Sequence, residues 1–446
     1  MTPGPTERPP RSKRWTKLLG RRKPTATAPG GIVVDEEVAC GYRRSPEQQA
    51  QFTQAAEKLR EVDGWPNPDN GNRRELVADL ALEGGGVKGI GLVGAVVALS
   101  EAGYSFRRVA GASAGAIAAS LVAALSAADQ PMSRLRQSMG AMDFSKFMPK
   151  GKLHAFLGDF NVPHDHALIL SQKSGLYTGD YLGEFLRPAL EALDVRTFGD
   201  LKLTPGDDPD MSMGSGQHYR LVVHASDITR GKLVRLPWDY ALYGHEPDAA
   251  DVVQAVRASM SIPFFFEPVT FEARAATVQL PGPSGRIVTQ QFEAGTVTWV
   301  DGGMLRNFPI NAFDRIDGQP SRWPTIGIKL SSQQTQFPQT SACETAIAVG
   351  LHCVRTMLTE WDSYLVDEYT AGRTIFVDNG GLASTDFDLS RAQQDQLFLS
   401  GVSAATRFVI EMADRGGAPR TADEAAEVVH ARWLRSRHHD GDHKPT

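Results

Sequence analysis

The sequence predicts an α/β fold on a mostly parallel central sheet. The main support is two consecutive strand–turn–helix units. LVADLALE (Leu76–Glu83), GGGVKG (Gly84–Gly89) and the apolar IGLVGAVVALSEAG form the first; FRRVA (Phe106–Ala110), GASAG (Gly111–Gly115) and AIAASLVAAL form the second. Short apolar runs without alternation suit buried parallel strands, and strand–helix repetition makes neighbouring strands parallel and covers them with helices. Further short strands downstream extend the sheet: YRLVVHAS (Tyr219–Ser226) and KLVRL (Lys232–Leu236) around the turn DITRG, then VTWV (Val297–Val300) and PTIGIKL (Pro324–Leu330).

The other elements follow in order. Residues 1–31 are a basic, Pro/Gly-rich tail without the composition to fold alone. Residues 32–75 lead in, with a helix over Ser45–Trp65: Ser45 is its cap, Pro46 suits the first position and Gln48 completes a capping box. The catalytic domain is assigned to 76–420. Within it, residues 130–200 carry helix and loop signals and are expected over one end of the sheet. Glu272–Ala294 reads as a long hairpin tipped by PGPSG. Residues 421–446 comprise a last helix, Thr421–Ser436, with a Thr421/Glu424 capping box, and a polar His-rich tail.

The chain has 446 residues, 41% hydrophobic and 22% charged, enough to bury a large core. A net charge of -5 gives no field that would favour nucleic acid. Cys40, Cys343 and Cys353 lack metal-ligand spacing, and the basic N-terminus runs into KPTATAPGG without an apolar stretch. Arg21-Arg22 lacks the hydrophobic region that twin-arginine export needs. The expectation is a reduced, cytoplasmic protein. Val109–Ala128 is uncharged and long enough to span a bilayer, but its Ala/Gly/Ser content and Gly111 with Gly115 favour a buried helix after a tight turn.

GASAG fits the G-x-S-x-G elbow, in which a serine sits on a strained strand-to-helix turn. Gly111 and Gly115 relieve crowding around Ser113, and the following helix offers its positive end to a developing oxyanion. The pattern alone is weak; a strand before it and a helix after it give it weight. The competing reading is a plain helix-cap serine.

GGGVKG also satisfies G-x-G-x-x-G through Gly84, Gly86 and Gly89, the fingerprint of a dinucleotide site. That fold needs an acidic residue about 20 residues on, where this chain has GASAG. A phosphate loop of the Walker type fails because Gly89, not Ser or Thr, follows Lys88. Consecutive glycines instead aim backbone amides into a cavity, where each donor is worth about 3–4 kcal/mol to an acyl-transfer oxyanion. Lys88 reads either as a contact for a phosphate head group or as a solvated residue in the helix's first turn.

A serine nucleophile needs a proton acceptor. None of the eleven histidines sits in a setting that marks it as a base, and HDH (His164–His166) reads as a surface loop. DGG (Asp301–Gly303) closes the strand VTWV, where a rigid mount and two glycines let a carboxylate project. DNGG (Asp378–Gly381) reads as a simple turn.

Taken in order, GGGVKG, GASAG and DGG resemble the patatin-like phospholipases. RASMSIPFFFEPV (Arg257–Val269) and, more weakly, GLYTGDYLGEFL (Gly175–Leu186) add to the likeness, which covers roughly Leu76–Val409. The resemblance implies a three-layer α/β/α fold and a Ser113–Asp301 dyad, with Gly84, Gly85, Gly86 and Gly89 shaping the oxyanion hole. It further implies hydrolysis of acyl lipids through an acyl-serine, without metal or cofactor. Family members often carry Arg where this chain has Lys88, so a forked contact would become a point charge.

Phe264–Phe266 either line an acyl channel or pack in the core. The tail's RSKRWTKLLGRRK mixes basic residues with Trp15, Leu18 and Leu19, which suits peripheral contact of residues 1–31 with an anionic membrane. Two other functions remain open on the sequence: a carboxylesterase with a Ser-His-Asp triad, and a non-catalytic lipid-binding protein.

Overall fold

The computed structural model describes residues 44–67, 73–147, 175–203, 217–281, 286–315, 321–330, 346–359, 368–382 and 389–440. The tail 1–31, Cys40, Cys343, His164–His166 and the hairpin tip at 282–285 lie outside these residues.

Helix α1 (Pro46–Asp63) has Pro46 at its first position and buries Phe52, Ala55, Ala56 and Leu59 at helical spacing. Strand β1 (Trp65–Asn67) pairs antiparallel with β2 (Arg73–Leu82). The next two units are as the sequence indicates: α2 (Gly89–Glu101), β3 (Tyr104–Ala112) and α3 (Ala114–Ala127). Both helices are apolar all round and accordingly buried along nearly their whole length. Short α4 (Arg134–Gly140), β4 (Gly175–Tyr177) and α5 (Asp180–Glu191) follow.

Strands β5 (Leu221–Asp227) and β6 (Lys232–Leu236) form a hairpin, then come α6 (Val252–Ser259), β7 (Phe264–Phe266) and β8 (Val269–Ala273). The long hairpin is β9 (Ala276–Pro281) against β10 (Ile287–Phe292), leading into β11 (Gly295–Asp301) and one-turn α7 (Gly303–Arg306). Next are β12 (Thr325–Lys329), α8 (Ala346–Thr359), α9 (Glu368–Gly372) and β13 (Thr374–Phe376). Two helices, α10 (Arg391–Arg415) and α11 (Ala422–Asp440), end the unit Pro46–Thr446.

The main sheet runs β13-β12-β2-β3-β5-β11-β8. Its first five strands are mutually parallel, and β11 and β8 are antiparallel additions at one edge. Helices cover both faces, giving three α/β/α layers. The chain moves from β2 to β3 in one direction and later returns to β12 on β2's other side. Crevices for ligands form at the carboxyl ends of strands where order reverses in this way. Both glycine turns lie there.

Sequence reading did not find α10. It packs along α2 through glycines: a Cβ on Gly94 would collide with the Phe398 carbonyl, and one on Gly401 with the Gly91 carbonyl. The expected box at α11 is half formed. Thr421 Oγ1 accepts the Glu424 amide at 3.3 Å, while the Glu424 carboxylate takes the Arg420 amide at 2.7 Å. Among the described residues no helix is long and apolar enough to cross a membrane, and Val109–Ala128 is divided between β3, the turn and α3.

Candidate active site

Register alone brings two of the expected residues together. Ala112 on β3 pairs with His224 on β5, so Ser113 follows into the row of Ala225, and Asp301 on β11 pairs with Ala225. Because β6 occupies the opposite edge of β5 over Val223–Asp227, β3 and β11 follow one another along the same edge, and Ser113 meets Asp301 where one strand ends and the other begins. Both are buried.

Ser113 occupies φ 50°, ψ -126°, a region non-glycine residues rarely adopt, and it caps α3. The strand must turn into the helix within one residue, and this demands small neighbours. A Cβ on Gly111 would meet the Gly115 carbonyl, and one on Gly115 would meet the carbonyls of Leu82 and Glu83. Both positions admit only glycine.

The glycine cluster after β2 forms a short 3-10 turn, Gly86–Lys88, opening with Gly86 at φ 57°. Its four glycines do different things. The Gly84 amide donates to the Asn307 carbonyl at 3.0 Å, and the Gly89 amide donates to the Gly86 carbonyl, so neither is free to meet an oxyanion. This narrows the sequence-based expectation: Gly84 and Gly89 give close packing, against Ser113 and Ala114 respectively, while Gly86 lines the pocket at Ser113. Gly85 packs against Leu330. Just upstream, the buried Glu83 carboxylate pairs with Lys329 and accepts the Leu330 amide at 2.6 Å, which pins the start of the turn. Lys88 is half-buried at the end of the turn.

The Asp301 carboxylate is fully buried. Its Oδ1 accepts the Gly303 amide at 2.7 Å. Burial pushes its pKa up to about 7, with the Gly303 amide and the Ser113 side chain opposing the rise. The Ser113 side chain thus faces this carboxylate, whose Oδ2 is buried and not engaged by another group.

Two residues whose roles were not legible in the sequence hold these pieces. Asn307 clamps the glycine turn: its Nδ2 donates to the Gly84 carbonyl at 3.0 Å and to the Leu358 carbonyl of α8 at 3.2 Å. Ser259, at the end of α6, accepts the Ser113 amide on its Oγ at 2.9 Å and donates to the His224 carbonyl at 2.6 Å. Ser259 lies in RASMSIPFFFEPV, so the signal was a segment and not an individual side chain.

Ser113 opens on a small apolar pocket that is partly continuous with solvent. Ile117, one turn along α3, forms one wall. Met139 comes from α4, and Met142, Phe144 and Phe147 from the stretch that follows it, so part of the 130–200 region does sit over the site. Met260, Ile262 and Phe266 complete the lining. The phenylalanine triplet therefore does both things expected of it: Phe266 faces the pocket, while Phe265 packs on Tyr177 with ring centroids 5.1 Å apart.

His224 is the histidine beside the nucleophile turn. It is buried, both ring nitrogens lack a hydrogen-bond partner, and burial holds its pKa down at about 3. Among the described residues no group of three or more His, Cys, Asp or Glu is placed to hold a metal ion. DNGG is a turn, with Gly380 and Gly381 at φ 61° and 77°.

Residues 80–314 match the Patatin-like phospholipase family. The chain is also 32% identical over 324 residues to the uncharacterized protein YqhO of Bacillus subtilis (strain 168), covering 73% of this chain and 94% of that one. This chain belongs to the patatin-like phospholipase family, whose members are lipid acyl hydrolases. Among solved structures it is similar to VipD from Legionella pneumophila, at 17% identity and a TM-score of 0.37. That match covers 74% of this chain and 66% of VipD. It is also similar to ExoU in the ExoU-SpcU complex from Pseudomonas aeruginosa, at 18% identity and a TM-score of 0.34, covering 82% of this chain and 61% of that one. The chain thus spans a little under two thirds of each of these structures.

Proposed function

We propose that the protein hydrolyses carboxylic esters of acyl lipids through an acyl-serine intermediate, with Ser113 as nucleophile and Asp301 as general base. The observation that carries this reading is the juxtaposition itself: a strained, helix-capping serine beside a buried carboxylate poised near pH 7, at the mouth of an apolar pocket.

In the first half-reaction the Ser113 Oγ attacks the ester carbonyl while its proton passes to Asp301. The tetrahedral oxyanion lies against amides at the glycine turn and the start of α3, with Gly86 and Ala114 the pocket-lining candidates. The carbonyl reforms, the C–O bond to the lipid alcohol breaks, and Asp301 returns the proton to that alcohol. In the second half-reaction water gives its proton to Asp301 and attacks the acyl-serine. Collapse releases the fatty acid and restores the Ser113 hydroxyl. The acyl chain occupies the Met- and Phe-lined pocket, leaving the head group toward solvent.

A histidine base has less support. His224 is neutral and unbonded where a triad would need it linked to both partners. A non-catalytic lipid binder would have no use for the strain at Ser113. For residues 1–31 we propose peripheral contact with anionic membranes; co-sedimentation with vesicles of anionic phospholipid, unchanged on deleting the tail, would end that idea.

The test is covalent labelling by a fluorophosphonate probe together with turnover of an acyl ester. Labelling and turnover should both vanish in Ser113→Ala, and turnover should vanish in Asp301→Asn. Near-normal turnover in Asp301→Asn would refute the base assignment.

A further inference from the structure

The parallel ladder between β3 and β5 is interrupted where it reaches the nucleophile. Upstream, the Val109 amide donates directly to the Arg220 carbonyl at 2.7 Å. Four residues further on each strand, the same spacing matches the Ser113 amide with the His224 carbonyl. That rung is not made directly. The Ser259 hydroxyl stands inside it, accepting from Ser113 at 2.9 Å and donating to His224 at 2.6 Å. Both lone-pair and proton sides of the hydroxyl are thus committed in one direction, and the side chain is fully buried.

The same stretch of chain also holds the acid. The Ser259 carbonyl accepts the Gly302 amide at 3.2 Å, and the Ser261 carbonyl accepts the Asp301 amide at 2.9 Å. Ser261 is fixed in turn by Arg257, which donates to its Oγ at 2.5 Å. Ser259 and Ser261, two residues apart, therefore bond the turn that carries Ser113 and the strand end that carries Asp301.

Resting on the proposed dyad, we infer that Ser259 is a positioning residue: its hydroxyl, inserted as a missing rung, spaces β3 from β5 and holds Ser113 in its turn at a fixed separation from Asp301. Without the hydroxyl the rung closes directly or stays open. Either way the nucleophile shifts relative to a base that the backbone of the same segment still holds. A misplacement of about 1 Å at a reacting atom can cost about 100-fold in rate.

The experiment compares wild type, Ser259→Ala and Ser259→Thr in the full-length chain. Fluorophosphonate labelling gives the competent fraction from its end point and the reactivity per site from its rate. Steady-state turnover of a soluble short-chain ester separates kcat from KM, and thermal melting reports stability. Ser259→Ala should label to completion but about 10- to 100-fold more slowly, with kcat reduced and KM unchanged. Ser259→Thr, which keeps the hydroxyl, should recover most of the rate. If Ser259→Ala shows a lower melting midpoint but a normal rate per labelled site, Ser259 only stabilises the fold and the inference is overturned. A threonine variant as slow as alanine at wild-type stability overturns it too. Wild-type protein that does not label at all brings down the dyad itself, a different and recognisable failure.

Discussion

Gly84 and Asn307, 223 residues apart in the chain, exchange two hydrogen bonds: the Gly84 amide donates to the Asn307 carbonyl, and the Asn307 side-chain amide donates to the Gly84 carbonyl, each at 3.0 Å. The peptide that opens the glycine turn is therefore fixed from both sides by the residue four positions after DGG. Closeness is part of the device, since a Cβ on Gly84 would overlap the Asn307 side chain. Gly84 thus serves the site by giving up its own amide, while Gly86, later in the turn, lines the pocket.

Asn307→Ala is expected to reduce both stability and turnover. It strips the Gly84 and Leu358 carbonyls of a buried donor, a loss of about 1–3 kcal/mol for each group left unsatisfied. Denaturant midpoints and labelling rate measure the two effects. Unchanged labelling in a destabilised protein would show that the clamp supports the fold without shaping the turn.

The carboxyl of Asp301 links activity to pH. Burial raises it from 3.8 to about 7, so the base form accumulates as pH rises through that value. The rate kcat/KM on a soluble ester should climb through pH 7 and level off above it. Stability runs in the opposite direction. Below about pH 4 the group is protonated in both folded and unfolded chains; from there to about pH 7 the unfolded chain ionises and the folded one does not, so this contribution falls as pH rises. Asp301→Asn should therefore raise the melting midpoint relative to wild type more at pH 8 than at pH 4, while abolishing turnover. A flat pH–rate profile, or an equal shift at both pH values, would contradict the buried carboxyl.

How much of this was legible beforehand depended on range. Ser113, Asp301 and their glycines could be read because strand–turn–helix chemistry is local, and because a serine can occupy φ 50° only where Gly111 and Gly115 leave room. The roles of Asn307 and Ser259 were hidden because each consists of hydrogen bonds to residues far away in sequence, which no local pattern encodes. The division of labour among the glycines was hidden for the same reason. Helix α10 escaped because much of its inner face is small (Gly401, Ala404, Ala405) and gives a faint apolar period. One signal was there: Ser390 and Gln393 form a capping box at its start.

That small-residue face makes its own prediction. Gly91 and Gly94 of α2 meet Gly401 and the Phe398 backbone of α10 with the helices in direct backbone contact. Gly401→Val places a branched side chain against the Gly91 carbonyl, with no flexible neighbour to yield. Overpacking of this kind costs about 1–3 kcal/mol, occasionally more. Because α2 begins at Gly89, any shift also reaches the glycine turn. A lowered melting midpoint together with slower labelling is expected; a variant as stable as wild type would mean that the helices do not pack this closely.

Ile117 offers a way to read the substrate from the pocket. It lies one turn beyond Ser113 on α3 and faces Met and Phe side chains supplied by two other segments. Methionine walls adapt their shape, so the pocket should accept a range of chains, with selection falling on its stiffer members. A β-branched isoleucine on a buried helix has little rotamer freedom, and a phenylalanine there cannot withdraw without disturbing α3. Ile117→Phe should therefore shorten the pocket and leave the carbonyl position intact. Turnover of p-nitrophenyl butyrate should stay near wild type while kcat/KM for p-nitrophenyl laurate falls about 10-fold, the scale of discrimination one or two methylenes bring in an apolar site. Equal losses on both esters would place the damage at Ser113 itself, and no change on either would mean that the acyl chain runs elsewhere.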